Sequence, residues 1–476
     1  VRRRSVLAAL GLAGMVAALP LNAAPTLSVE QMVQAIYRQY PSIRVAELEL
    51  NQARQEIAKV DSQLGWVLNA QGGYSHELSF IDSPLDRYDA SAGVQRTLES
   101  GSQLGISGGY TYEENQRTFS PVVANPTERT RIDLDYRMPL SQGKDNPGYH
   151  SGMMNAGAQV AISKANFNAA QDRVVQQALS LFYDAAVTRA RIDEAKGAIE
   201  RAERLVKFTR KNQDLGLVED KDILQAEAQY QSQVSSLRSL EALWERQRIT
   251  LNRLMGRPFD EEFRPEANIA NLPTRAAYES AFAKVVDYSP ELRVQRQRIT
   301  LAQSTITLAQ DERKDQVDLI LNLGARDARG DSSLGSLQEN EVVGGLRVEY
   351  RRALDTKGLD AGLYQAHLDQ QIAEQQIRRI KQDLKYDVMA LLADIQASDK
   401  ALQSTRKHLA VEKRKWRDAL ERYQSGRADT DQLIRFENDL NQTRLQYQQQ
   451  IIELARKRSN LRLLQGDYAT DGADAR

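Results

Sequence analysis

The side chains best able to do chemistry are spaced in a way that argues against catalysis. The four histidines, His76, His150, His367 and His408, fall in unrelated segments and show no metal-ligand spacing. There is no cysteine, so disulfides, thiol nucleophiles and thiolate metal sites are excluded. No glycine-rich phosphate loop, nucleophile elbow or paired metal motif occurs. Carboxylates are numerous but scattered along helical stretches, the pattern of a solvated face. We therefore expect no enzyme, no cofactor and no metal. Acidic and basic residues balance at 64 each, so no global field favours nucleic acid, and none is expected as a partner.

Polar residues cluster after two turns. Gly216-Leu217-Val218 is followed by Asp222, and Gly426-Arg427-Ala428 by Asp429, Thr430, Asp431, Gln432 and Arg435. Asp and Thr at such places favour helix caps.

The elements behind these turns are two copies of one coiled-coil hairpin. From the first turn to Gly256, Ile223, Tyr230, Leu237, Trp244 and Leu251 recur at a stride of seven. From the second turn to Gly466, Leu433, Leu440, Tyr447, Leu454 and Leu461 answer position for position. A stride of seven keeps one apolar seam facing a partner helix. Two matching seams point to an internal duplication. Long helical stretches lead into both turns, about 157–212 and 363–423, each on the order of 80–90 Å if continuous, at ~1.5 Å per residue. The second carries Ile377, Leu384 and Leu391, then a step of four to Ile395, which resumes the stride through Leu402, Leu409, Trp416 and Tyr423. A step of four is a stutter that locally unwinds a supercoil.

Before each hairpin the period is 2. In the first half, Leu68 to Leu78, Leu104 to Tyr112 and Ile132 to Met138 alternate apolar or small with polar residues. In the second half, Val317 to Leu323 and Val342 to Tyr350 do the same. Such strands suit either a half-buried soluble sheet or a barrel with a wet lumen. An additional alternating stretch, Tyr88 to Leu98, is joined to the next through Gly101 and has no counterpart in the second half. The segments 81–87 and 115–127, with their prolines, read as exposed loops, as does the segment holding Arg329-Gly330-Asp331. Each half opens with a short amphipathic helix, a proline break at Tyr40-Pro41 or Ser289-Pro290, and a second helix. On the first of these second helices, Val45, Leu48, Ile57 and Val60 are the apolar positions.

The N-terminus reads as an export signal over 1–23. Arg2, Arg3 and Arg4 precede the uncharged apolar stretch Val6 to Leu19 and a cleavage site before Ala24. The first repeat then occupies 24–270, with strands about 67–140 and a helical hairpin about 155–256. The second occupies 271–466, with strands about 316–352 and a hairpin about 360–466. Residues 467–476 are expected to be a disordered tail.

Signal, helix, strands, long helix, turn glycine and returning helix, all duplicated, resemble the TolC-type outer-membrane efflux proteins. Tyr40-Pro41-Ser42-Ile43, Ser289-Pro290-Glu291-Leu292 and Pro139-Leu140-Ser141-Gln142-Gly143 carry the likeness, with the hairpins through Gly216 to Ala226 and Tyr423 to Gly426. The resemblance implies a mainly α chain with a β-barrel portion. Its duplicated coiled-coil hairpins would be joined to strands pooled by a homotrimer into one barrel in outer-membrane lipid. It implies an exit duct of a tripartite efflux pump or type I secretion system in a Gram-negative outer membrane, reaching into the periplasm. The partners would be a periplasmic adaptor and an inner-membrane RND or ABC transporter, with the adaptor docking at Gly216, Leu217, Val218, Gly426, Arg427 and Ala428. The alternative is a soluble periplasmic coiled-coil scaffold with a small β-domain.

In that family four strands per chain join the barrel, a count the extra pair here leaves open. The resemblance also implies an entrance gate in which Tyr423 is tied to Asp222, with capping by Asp222 as the competing role. A shielded phenol–carboxylate bond is worth roughly 1.5–3 kcal/mol. The family's gate arginine is Ala428 here, with Arg427 beside it, and its acidic constriction is Gln432 and Arg435, with Asp429 and Asp431 in a different register. The gate expected is less cation-selective than an acidic ring.

Overall fold

The computed structural model describes residues 25–77, 84–116, 124–214, 219–267, 278–425, 427 and 429–469. The signal segment, Gly216 to Val218, Gly426, Ala428 and the last seven residues of the expected tail lie outside the described residues. In chain order the elements are β1 (Thr26–Leu27), α1 (Val29–Gln39), α2 (Pro41–Asp61), β2 (Trp66–Glu77), β3 (Leu85–Thr97), β4 (Gln103–Asn115), β5 (Thr127–Pro139), α3 (Pro147–Asp214), α4 (Asp220–Met255) and β6 (Arg264–Pro265). Then follow α5 (Tyr278–Tyr288), α6 (Pro290–Glu312), β7 (Gln316–Ser332), β8 (Gly335–Arg351), α7 (Lys357–Gln424) and α8 (Thr430–Leu464).

The duplication is carried by the helices. Both α3 and α7 have 68 residues, and their bounds are offset identically (147 to 357, 214 to 424). N-caps recur at the same offset, Glu219 for α4 and Asp429 for α8, because a carboxylate can accept the free amides of a first turn. At the far ends Gly256 and Gly466 both take positive φ, 66° and 76°, which a residue without Cβ adopts at little cost. Every position of the stride-seven seams is buried or half-buried. The two repeats are not, however, two compact bodies. Each of the two compact units, Val1–Tyr40 with Arg173–Tyr278 and Met389–Arg476, and Pro41–Asp172 with Glu279–Val388, draws on both halves.

In the first unit, α1 opens with a capping box: Gln31 N donates to Ser28 Oγ (3.2 Å) and Ser28 N donates to Gln31 Oε1 (2.9 Å). It buries Met32, Val33 and Ile36. Phe182, Tyr183, Leu179, Leu251, Leu254 and Met255 are also fully buried in this unit. Tyr183 and Ser459 share a hydroxyl hydrogen bond of 2.6 Å. The start of the expected disordered tail is ordered. Residues 467–469 form a helical turn, Tyr468 is buried, and the Arg462 guanidinium lies 4.7 Å from its ring centroid. One aromatic side chain with a cation to stack on holds this polar stretch down.

In the second unit the strands form one antiparallel sheet of order β2-β3-β4-β5-β7-β8. The additional stretch of the first half is therefore a hairpin, β3-β4, inserted between β2 and β5. Its turn passes through Gly101, whose φ of 82° and close approach to the Gly143 carbonyl leave no room for a Cβ. Two loop expectations are corrected. Arg329-Gly330-Asp331 lies in β7, paired with Gln338, Leu337 and Ser336, because both second-half strands run to 17 residues. Leu85 to Arg87 belong to β3. The buried face of α2 is also not the one expected. Ile43, Ala46, Leu50 and Ala53 are buried, whereas Val45 and Leu48 are more than half exposed.

Candidate functional sites: a one-sided sheet and a four-helix end

Alternation along each strand sends successive side chains to opposite faces, so the register decides what each face displays. One row runs Leu68, Val94, Ile106, Leu134 and Leu323, directly opposite one another across five strands. The next row on that face is Ala70, Ala92, Gly108, Ile132, Ala325 and Val342. Leu68, Ile132, Leu323, Val342, Leu346 and Val348 are all exposed. Further along, the face ends in a tyrosine row: Tyr74 and Tyr88 have ring centroids 4.9 Å apart, and Tyr88 and Tyr112 6.1 Å apart. Beyond it come polar groups, with Asp86 bonded to the Tyr74 hydroxyl (2.8 Å) and to His76 (2.7 Å). An apolar band bordered by aromatic rings is the pattern of a lipid-facing barrel wall.

The opposite face is polar and lined with small residues. One row is Asn69, Gly93, Ser107, Asp133 and Gly324, and another Gln71, Ser91, Gly109, Arg131, Arg326 and Glu341. Its charges are largely matched in pairs: Arg87 with Glu113 (2.6 Å), Arg129 with Glu113 (3.6 Å), and Arg137 with Asp318 (2.5 Å). Asn322 also bonds Asp135 across β7 and β5. This face can hold water and screen ions of either sign. Among the described residues the outer strands β2 and β8 each have one edge without a partner strand, which in lipid would leave backbone amides unsatisfied.

The second site lies in the first unit, where α3 and α7 end and α4 and α8 begin. Tyr423 packs with Leu205, Ala226, Ala419 and Leu433, and its ring centroid is 5.4 Å from that of Phe208. The expected Tyr423–Asp222 bond is not formed. The buried Tyr423 hydroxyl is instead shared with Oγ1 of Thr430 (3.1 Å) and Thr209 (3.2 Å). Asp222 accepts the Glu219 amide (3.1 Å) and completes a capping box, so its capping role is the one seen. Nearby hydroxyls and a free backbone amide are closer competitors for these two groups than each is for the other. Thr209 was not singled out in the sequence, where a lone threonine gives no signal.

The remaining gate candidates are placed as follows. Asp429 caps α8 by accepting Gln432 N at 2.7 Å. Asp431 bonds Gln225, joining α8 to α4, and its carbonyl accepts Arg435 Nε at 3.4 Å. Arg427 is exposed. Deeper along the helices, Arg201 donates to Glu437 (2.9 Å), Glu194 (2.8 Å) and Asn441 (2.6 Å). Burial pushes the Glu437 carboxyl above the usual carboxylate range, opposed by the Arg201 charge and hydrogen bond. Among the described residues no group of three or more His, Asp or Glu is disposed to hold a metal ion, and no helix is long and apolar enough to cross a membrane.

No protein-family model and no curated protein matches the chain. Solved structures do. The chain is similar to the outer-membrane channel OprN at 17% identity, with 92% of this chain and 89% of that one covered and a TM-score of 0.65. It is similar to the outer membrane protein VceC of Vibrio cholerae at 15% identity, with 93% and 96% covered and a TM-score of 0.62. The CmeC outer membrane channel of Campylobacter jejuni matches at 12% identity, with 99% and 94% covered and a TM-score of 0.64. The chain has the TolC-type fold of these channels.

Proposed function

We propose that this protein is an outer-membrane exit channel, three copies of which pool their six-stranded sheets into one barrel. The observation that carries the reading is the exposed apolar face bordered by tyrosines, on a sheet whose two edges no single chain can satisfy. The fold shared with solved outer-membrane efflux channels supports it. The polar face lines the lumen, and its paired charges pass solutes without binding them. Nothing is transformed, so transport is passive. Cargo comes from an inner-membrane RND or ABC transporter through a periplasmic adaptor, which meets the hairpin turns around Gly216, Leu217, Val218, Gly426, Arg427 and Ala428. The mouth is the four-helix end with Tyr423, Asp222, Asp429, Asp431, Gln432 and Arg435, closed by hydroxyl contacts and caps rather than by an acidic ring.

Cell fractionation with planar-bilayer recording tests this. A heat-dissociable trimer in the outer-membrane fraction that conducts ions is expected. Recovery of non-conducting protein in the soluble periplasm would favour a coiled-coil scaffold instead.

A further inference from the structure

Between α3, α7 and α8 the first unit holds a cavity of about 480 Å³, within the range of small-ligand pockets. Its walls are Leu205, Phe208, Trp416, Leu420, Tyr423 and Leu433.

The charges at this cavity are unequal. Glu437 is the one carboxylate among its described lining residues; Arg201 is bound to it at 2.9 Å, and the charge of Arg204 also acts on it. Lys207 is paired with Glu203 at 2.7 Å. Arg204 and Lys211 also line the cavity, are exposed, and make no hydrogen bond or ion pair among the described residues. Aromatic walls and two exposed cations without a hydrogen-bonded partner among the described residues have one complement in common. We propose that this cavity binds a small amphipathic organic anion, with an aromatic body against Phe208 and Trp416 and a carboxylate or sulfonate at Arg204 and Lys211. A neutral apolar ligand would leave the cations unanswered, and a cation would be repelled. The site stands on the cavity alone and does not depend on the channel reading.

The test uses the full-length protein as purified, with 4-nitrobenzenesulfonate as probe, calorimetry for affinity and tryptophan emission for location. Saturable binding is expected, with quenching that disappears in Trp416→Phe. Exchanging both Arg204→Gln and Lys211→Gln should weaken binding about three- to tenfold, as for partly exposed charge pairs. Both side chains are exposed, so that variant keeps its core, which unchanged circular dichroism will verify. The 4-nitrobenzyltrimethylammonium cation, with the same ring, should not compete. No saturable binding, equal affinity in the charge variant, or quenching independent of Trp416 would each overturn the proposal. So would shielding of Trp416 from acrylamide in the assembled protein, the result expected if a second copy or a partner helix fills the cavity.

Discussion

Tyr423 and Thr430 hold their hydroxyl oxygens 3.1 Å apart in a buried contact that spans the turn between α7 and α8. Asp222 has no part in it, being engaged at its own helix start. Two groups that share no partner should contribute independently, within about 0.5 kcal/mol.

A double-mutant cycle of thermal stability therefore separates the two arrangements. Asp222→Ala should cost about 1 kcal/mol, as lost caps do. Tyr423→Phe should add to that without coupling, whereas Tyr423→Phe and Thr430→Val should couple. Single-channel conductance should rise with Tyr423→Phe and stay at the wild-type level in Asp222→Ala. A large coupling between Tyr423 and Asp222 would restore the direct tie.

Leu134 and Leu323 face each other across β5 and β7 in the middle of the apolar row. Leu134→Arg should reduce barrel stability by about 2–4 kcal/mol if that row meets the bilayer midplane. Ser107→Arg, one residue along β4 from Ile106 and on the polar face, should insert normally and change ion selectivity. Outer-membrane yield and reversal potential read the two effects. Equal yields from both variants would mean that the apolar face does not meet lipid.

Val45 and Leu48 form an apolar strip on α2 that the described residues leave more than half exposed. Val45→Glu with Leu48→Glu should lower the yield of trimer, measured by cross-linking, and leave monomer helicity unchanged. A full yield of trimer would place the contact between copies elsewhere.

Asp172 accepts the Tyr288 hydroxyl at 2.8 and 2.9 Å, and burial pushes its carboxyl up to about 6 against the opposing effect of that bond. Its ordinary value is 3.8, so between these two values the folded chain holds a proton that the unfolded chain has lost. The contribution to stability is then greatest below the lower value, falls as pH rises through about 6, and is flat above it. The shift sets an upper limit of about 3 kcal/mol. Asp172→Asn should keep the Tyr288 bond, raise the thermal midpoint at pH 7.5 and leave it unchanged at pH 4. The same fall with pH in wild type and variant would show that Asp172 is not its source.

Much of this architecture is written in local patterns. Seams of period seven, closing glycines, proline breaks and strands of period two each follow from the geometry of one helix or one strand. The sequence alone therefore determined the duplicated hairpins and the centres of the strands, though not how far the strands extend. It under-read close packing by small and polar residues. On α3, Thr188, Ala195, Ala202 and Thr209 recur at a stride of seven and are all buried, yet none registers as strongly apolar. Close packing depends on what faces a residue, which hydropathy does not report.

The tertiary structure decided what depends on pairing between distant segments. Register across β5 and β7 assembled the apolar row from both halves of the chain. The place of β3-β4 within the sheet was settled by hydrogen bonds to β2 and β5. Contacts within the unit chose Ile43 and Leu50 over Val45 and Leu48 as the buried face of α2. At the four-helix end, Asp222 could bond either a helix amide or a distant phenol. The amide prevailed because it is three residues away and already positioned by the helix start, while the Tyr423 hydroxyl was already held by two threonines.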